Sequence, residues 1–442
     1  VATALAREPY ASSRPATAAR GGRRGFAWFT LLLVAVCFEG LGRKLVPAVP
    51  GVAFYVAKDA VLLLGLVAFG VRPPVSHEAR RLMRAFLPVL PLAAAWTIVQ
   101  AFNPGQGHAE FALLGLRSYW LWWLAPLVVA SALQREDVRE NAMLALGGVA
   151  MIVAGFAMVQ FSLPPSHALN RYAPTVIEMG IADIQTTGRA RVTSTFSYIT
   201  GFTDFVTIVP ALLLSLGLTM ESRARRTLLL GATVISAVAI PMSGSRAPVL
   251  LALGGLAVVA WAAGLLWTRQ GRRVIVAGAL SIAVAILVAP DAIQGIGDRF
   301  FANPTETRGR LAEALGYVPP FAMAFTDYPL LGLGTGTLQN AAVMYGATQE
   351  WVVEHEHGRV LVEQGIPGYL LISLLRIGLV VGLFRAGRIL KGAGMRAEAG
   401  AAWALAAFTL PGNLFFDHVF QALYFIGVGI VLEGVVRART RS

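Results

Sequence analysis

Charge is what this chain has least of. Of its 442 residues only 14% are Asp, Glu, Lys or Arg, against about 25% in a soluble globular domain. Acidic residues are rarer than basic ones, 24 against 37, and the formal net charge is +13. That excess does not point to nucleic acid, because the arginines stand in short clusters between apolar runs, a pattern of membrane topology. Cysteine is nearly absent. The single Cys37 sits in an apolar run, which excludes a disulfide framework within the chain and a Cys-based metal site. No P-loop, dinucleotide-binding glycine fingerprint or serine elbow occurs, and "SGSRA" is none of these. No cofactor is expected.

What remains is apolar. Hydrophobic residues make up 56% of the chain, in runs near the ~20 residues needed to cross a bilayer. Twelve spans can be drawn, at 25–43, 52–71, 85–102, 113–133, 141–163, 203–220, 227–243, 247–267, 274–290, 369–387, 399–415 and 419–436. With the N-terminus in the cytoplasm, 22 basic residues fall in inside segments. The short outside loops hold 3, namely Arg43, Lys44 and Arg246. The positive-inside rule is then met at every turn, and both termini are cytoplasmic. Val1 to Arg24 is rich in Ala, Ser and Arg and reads as a disordered tail. The apolar run after it is too long for a signal-peptide core and lacks a convincing cleavage site. The expected fold is an all-α integral membrane protein of about 12 transmembrane helices with a large extracytoplasmic loop domain. Its parts are a tail at 1–24, nine spans with an outer loop (164–202) at 25–290, a loop domain at 291–368, and three spans with a cytoplasmic C-terminus at 369–442.

The two long connections, 164–202 and 291–368, both fall outside, and long loops in compact proteins tend to carry function. The second contains "VVEHEHGRVLVEQGIPGYLL", where Glu354, His355, Glu356, His357, Arg359 and Glu363 crowd into ten residues. Gly365, Pro367 and Gly368 mark re-entry into the membrane. If 355–365 is helical, His355 and Arg359 share a face, as do Arg359 and Glu363, so Glu363 would fix Arg359. A solvated, charge-paired loop would have the same composition. A metal is not expected, because His-x-His here lacks a third-ligand pattern.

An ion at the centre of a membrane helix costs at least ~2.5–3.5 kcal/mol, so such residues face a partner or a cavity. Glu39, Lys58 and Asp59 read as a structural pairing between the first two helices, and Arg376 as part of a buried ion pair. Arg117, in "GLRSYWLWW", lies near the outer end of its span, placed to snorkel beside an aromatic belt or to contact a lipid phosphate. Arg189 and Arg191, in "TTGRARVTSTF", and Arg246, in "MSGSRAPVLL", run against the topology bias. A guanidinium fork matches phosphate oxygens bidentately, and a helix start adds free N–H groups that favour an anion.

Four segments in this order, "CFEGLGRKLVP…FYVAKDAVLLL", "GRARVTSTFSYITGF", "MSGSRAPVLL" and "GLGTGTLQNA…VEHEHGRVLVEQGIPGYLL", are spread from residue 37 to residue 371 and so span most of the chain. Together they resemble the bacterial O-antigen ligase and O-antigen polymerase superfamily of membrane glycosyltransferases. The resemblance implies a GT-C-like fold in the bacterial inner membrane with its site on the periplasmic face. It implies transfer of glycan from an undecaprenyl-pyrophosphate carrier to an acceptor glycan or glycolipid, with membrane lipids as the other partners and no nucleic acid. It places the family's pyrophosphate-holding arginines on Arg191 and Arg246, and its loop motif on Glu354 to Gly365. The family's usual His position falls on Glu354, with His355 beside it and His357 beyond, a departure that favours a polymerase-like branch over a standard ligase.

The chemistry of such a transfer suits these residues. Negative charge develops on the leaving diphosphate, where guanidinium and N–H groups can stabilise it without a metal. The acceptor hydroxyl loses a proton, which Glu354, His355 or His357 can take. Arg189, Arg191, Arg246 and Arg359 are the anion-binding candidates, and direct displacement would invert the anomeric carbon. A secondary transporter or flippase has a similar span plan, but transporters favour related halves and short loops. An accessory subunit of an envelope assembly complex is the third reading.

Overall fold

The structure is a computed structural model that describes residues 16–46, 50–106, 108–173, 183–184, 187–267, 278, 283–284, 286–287, 289–301, 330–339 and 356–441. The helices used below are α1 (Ala16–Cys37), α2 (Glu39–Leu45), α3 (Gly51–Phe69), α4 (Pro73–Leu82), α5 (Val89–Ala101), α6 (Ala109–Trp120), α7 (Ala125–Ala132), α8 (Glu136–Ser162), α9 (Ile199–Thr219), α10 (Arg223–Ala239), α11 (Arg246–Ala262), α12 (Pro290–Phe301), α13 (Glu356–Gly392), α14 (Arg396–Thr409) and α15 (His418–Arg441). Among the described residues the only ladder pairs Asp183–Ile184 with Arg189–Ala190. Lipid offers the backbone no hydrogen bonds, so an apolar chain satisfies its N–H and C=O groups inside helices. Polar side chains follow the same rule: the hydroxyls of Thr97, Thr207, Thr233 and Thr409 each donate to the carbonyl one turn back.

Seven helices among the described residues are long and apolar enough to cross a membrane: Gly51–Phe69, Ala109–Ala132, Glu136–Ser162, Ile199–Thr219, Arg223–Ser243, Glu356–Gly392 and His418–Thr440. The pair Arg23–Cys37 and Glu39–Leu45, bent by 60°, makes an eighth if it is one span. These match eight of the twelve expected spans. Three more are helices of 13, 17 and 14 residues, namely α5, α11 and α14. They are shorter than expected because α5 starts only after Pro88, α11 ends just before Gly264 (φ +72°), and α14 stops at Thr409, two residues before Pro411. Most of the span expected at 274–290 and most of the 291–368 loop lie outside the described residues.

Helices α9 and α15 are enclosed by neighbours along nearly their whole length, whereas α3 leaves most of its surface open. Val67 and Phe102 are 87% and 82% exposed, a display of apolar surface that lipid would cover. At one end of the bundle, Arg139 pairs with Glu433 (3.5 Å), Arg437 with Glu398 (2.7 Å), and Arg225 with Glu140. These belong to the basic clusters that the sequence put together on one side.

At the other end, α13 breaks at Gly365 (φ +65°), where an L side chain would be strained. Pro367 has no N–H to offer the Glu363 carbonyl, and the Ile366 N–H turns to Leu330 O (3.0 Å). The glycine-rich segment 330–339 replaces what is lost: Leu333 N–H donates to Val362 O (2.8 Å) and Gly334 N–H to Glu363 O (3.1 Å). A Cβ on Gly365 would lie 2.4 Å from the Leu331 carbonyl carbon. The same segment is tied to α5 by Thr335 N–H on Gln100 O (3.1 Å), and the break in α13 by the Trp96 indole on Gln364 O (2.8 Å).

Candidate functional site

The Gly365 end carries two polar assemblies. The first is built on the 189–198 segment. Arg191 donates from Nη2 to Ser245 Oγ (2.6 Å) and from Nε to Ser243 O (3.3 Å). Val192 N–H reaches Met242 O (3.3 Å). Ser243 to Ser245 form the left-handed turn that opens α11, whose first residue is Arg246. The structure therefore brings Arg191 and Arg246, 55 positions apart, to one turn and one helix start. Arg189 stands apart from that turn, paired with Asp291 of α12 at 2.8 Å and 41% exposed. Asp291 holds it away from that turn.

Helix α2 lies against this segment. Leu41 N–H donates to Thr195 O (2.7 Å), Arg43 to Ser197 Oγ (3.1 Å), and Lys44 Nζ to Thr193 Oγ1 (2.7 Å). The approach is so close that a Cβ on Gly40 would fall 2.0 Å from the backbone of Phe196 and Ser197. The 60° bend at Phe38 makes this seating possible, because a straight continuation of α1 could not turn its end onto the loop.

The second assembly is the start of α13. Glu356, His357 and Glu363 are buried, so the titratable stretch is not a solvated loop where it is described. The Glu356 carboxylate accepts from the N–H groups of Leu414 (2.9 Å), Phe415 (2.7 Å) and Phe416 (3.1 Å) and pairs with the buried Arg376. This is the ion pair expected for Arg376, with its partner now identified. Glu363 accepts from the Tyr119 hydroxyl (3.1 Å) and Leu338 N–H (2.7 Å). It locks the 330–339 segment to α6, a role beyond the fixing of Arg359 that the helical spacing assigns to it. Arg359 is half-buried over the Phe416 ring, 5.5 Å from its centroid.

His357 Nε2 lies 3.1 Å from Leu410 O and 3.4 Å from Arg376 Nη1. The carbonyl asks for a proton on Nε2 and the guanidinium for a lone pair. Glu354 and His355 lie outside the described residues.

A third group joins the two assemblies. Lys58 pairs with Glu39, as expected between the first two helices, and Glu39 also holds Arg43 (3.4 Å). Asp59 instead takes Arg117 and the Trp122 indole (3.1 Å). Arg117, expected to snorkel or meet a lipid phosphate, is turned inward and 14% exposed. The low dielectric makes a carboxylate within reach a better partner than distant headgroups. Lys58 and Arg117 flank the Tyr55 ring at 4.6 and 4.3 Å, and the Tyr55 hydroxyl meets His418 Nε2. His418 follows Asp417, whose carboxylate caps α15 by accepting from Val419 (3.0 Å) and Phe420 (3.3 Å). A continuous set of contacts thus runs from Arg191 through Thr193, α2, Tyr55 and the 410–418 loop to Glu356. Tyr55 and Thr193 carry no spacing signal that would have singled them out, and His418 stands out in the sequence only as a titratable group beside a span; the packing of α2, α3 and α15 joins them.

Comparison with known proteins found no family model that matches the chain and no match among curated proteins.

Proposed function

We propose that the protein is a membrane glycosyltransferase of surface-polysaccharide assembly. It transfers or polymerises glycan from an undecaprenyl-pyrophosphate donor, as a polymerase-like member of the O-antigen polymerase and ligase superfamily. The same proposal includes twelve spans, the bacterial inner membrane, cytoplasmic termini, and 291–368 as a periplasmic loop domain. The observation that carries it is the seating of Arg191 on the Ser243–Ser245 turn that opens the helix of Arg246. In this reading the Arg191 fork on that turn, the helix start it opens and the arginine at its first position together offer one diphosphate its donors.

In the reaction, an acceptor hydroxyl oxygen bonds to the anomeric carbon as the bond from that carbon to the diphosphate oxygen breaks. The electron pair leaves on the diphosphate, where Arg191 and Arg246 stabilise it. The hydroxyl proton goes to Glu354, His355 or His357. Arg359, at the start of α13, positions the acceptor or the diphosphate. The transporter alternative drew on Lys58 and Asp59, and their pairing with Glu39 and Arg117 accounts for both charges without a moving ion.

The test is to delete the gene and analyse surface polysaccharide, then complement with Arg191→Lys or Arg246→Lys. A polymerase deletion leaves single repeats, and a ligase deletion leaves polymer on the carrier. Each variant should lose about 100-fold or more in transfer, the scale of removing a transition-state donor. Full polysaccharide from both variants would refute the diphosphate site.

A further inference from the structure

Among the described residues the Lys44 ammonium has no counter-ion. Its partner among the described residues is the Thr193 hydroxyl at 2.7 Å, and no carboxylate pairs with it there. It is half-buried on α2. The carboxylate on the same helix, Glu39, is already shared between Arg43 and Lys58. The other carboxylate on α2 and α3, Asp59, is taken by Arg117. Holding a partly desolvated ammonium against a neutral hydroxyl is unfavourable unless an anion completes the site. Thr193 lies two residues from Arg191, so their Cα atoms are within ~7 Å of each other. Arg191 in turn holds the turn that starts the helix of Arg246.

We infer that Lys44 is a third phosphate ligand of this site, presented by Thr193 to the same diphosphate that Arg191 and Arg246 hold. The inference rests on the reading of those two arginines as a diphosphate clamp. Each element of the assembly has one task. The bend at Phe38 carries α2 back onto the 193–197 loop, and Gly40 lets the two backbones touch. Thr193 parks the ammonium while the site is empty. A diphosphate has two separately charged phosphoryl groups. An arginine fork suits planar, bidentate recognition, whereas an ammonium with three rotatable donors suits a single phosphoryl oxygen approached from the side. The division predicts a preference for a diphosphate over a lone phosphate ester of a phospholipid headgroup.

The chain has three lysines, Lys44, Lys58 and Lys391, so amine labelling read by mass spectrometry reports on Lys44 almost alone. Lys58 is fully buried, and Lys391 is exposed and serves as the internal control. The full chain is reconstituted in nanodiscs of phosphatidylcholine, of phosphatidylcholine with phosphatidylglycerol, or of phosphatidylcholine with undecaprenyl pyrophosphate, and treated with an amine-reactive reagent. Undecaprenyl pyrophosphate should slow labelling of Lys44 and leave Lys391 unchanged, and phosphatidylglycerol should not. Equal protection by phosphatidylglycerol, or no protection by either, overturns the inference.

Lys44→Met removes a cation and leaves no carboxylate unpaired, so it keeps the fold. Its affinity for undecaprenyl pyrophosphate should fall about tenfold or more, as for loss of one charge-assisted hydrogen bond, and Lys44→Arg should restore part of it. Unchanged affinity in Lys44→Met overturns the inference. If Arg191→Met and Arg246→Met still weaken binding in that case, the clamp stands without Lys44. If they do not, the clamp falls too.

Discussion

Replacing Glu356 by Ala strips four contacts from one carboxylate. The Leu414, Phe415 and Phe416 N–H groups lose their acceptor, and Arg376, 2% exposed, loses its counter-charge. Breaking a buried ion pair by removing one partner costs ~3–5 kcal/mol. The orphaned amides add ~1 kcal/mol or more each where water cannot replace the carboxylate. With water replacing part of the lost acceptor, a loss of at least about 5 kcal/mol is expected, at the upper end for a point substitution. Arg376→Met alone leaves Glu356 with its three N–H donors, so it should cost less, about 3 kcal/mol. In the double variant no buried charge is left uncompensated, so the coupling energy should be ~2–3 kcal/mol, within the range seen for residues in contact. The measurement is a double-mutant cycle of reversible unfolding in mixed micelles titrated with a denaturing detergent. Single-variant losses below ~1 kcal/mol that add within ~0.5 kcal/mol would refute the argument, because distant, independent residues behave that way. The same variants should disorder the 410–418 loop, which the carboxylate holds against α13, visible as faster amide exchange at Leu414 to Phe416.

Gly40→Ala should unseat α2 from the 193–197 loop, because the new Cβ would lie 2.0 Å from backbone atoms that cannot yield. A cysteine pair engineered at Leu41 and Thr195 should then crosslink more slowly than in the wild-type background. Asp59→Asn should cost ~3–5 kcal/mol through the unpaired Arg117, while Asp59→Asn with Arg117→Met should recover a large part, read in the same unfolding assay.

Much of the scaffold was legible in the sequence, since lipid imposes a simple rule on composition. Apolar runs become helices because no other backbone partner exists in hydrocarbon, and seven expected spans appear as long apolar helices. The basic clusters assigned to one side do meet at one end, through Arg139, Arg225 and Arg437. Helix length was less legible. Pro88, Gly264 and Pro411 stop helices by backbone geometry, and a hydropathy window reads straight through them. In the site, the residue types of Arg191 and Arg246 were readable, since arginine outside a membrane protein opposes the charge bias. That they share one turn was not. It depends on a hydrogen bond across 54 positions, from Arg191 to Ser245, and no local period encodes it.

The tertiary structure also decided which charges are taken. From the sequence, Arg117, Arg189 and Lys44 are equivalent stray cations. Only packing shows that the first two have carboxylates, in Asp59 and Asp291, and that the third has a hydroxyl. Likewise Glu356 and Glu363 read as surface chemistry until the folded chain buries them against amides and a tyrosine. Hydrophobic character is a local property summed along the chain, so the sequence alone could determine where the membrane helices lie. Electrostatic pairing depends on distance between elements remote in sequence, and it was settled only once α2, α3, α6, α13 and α15 had packed.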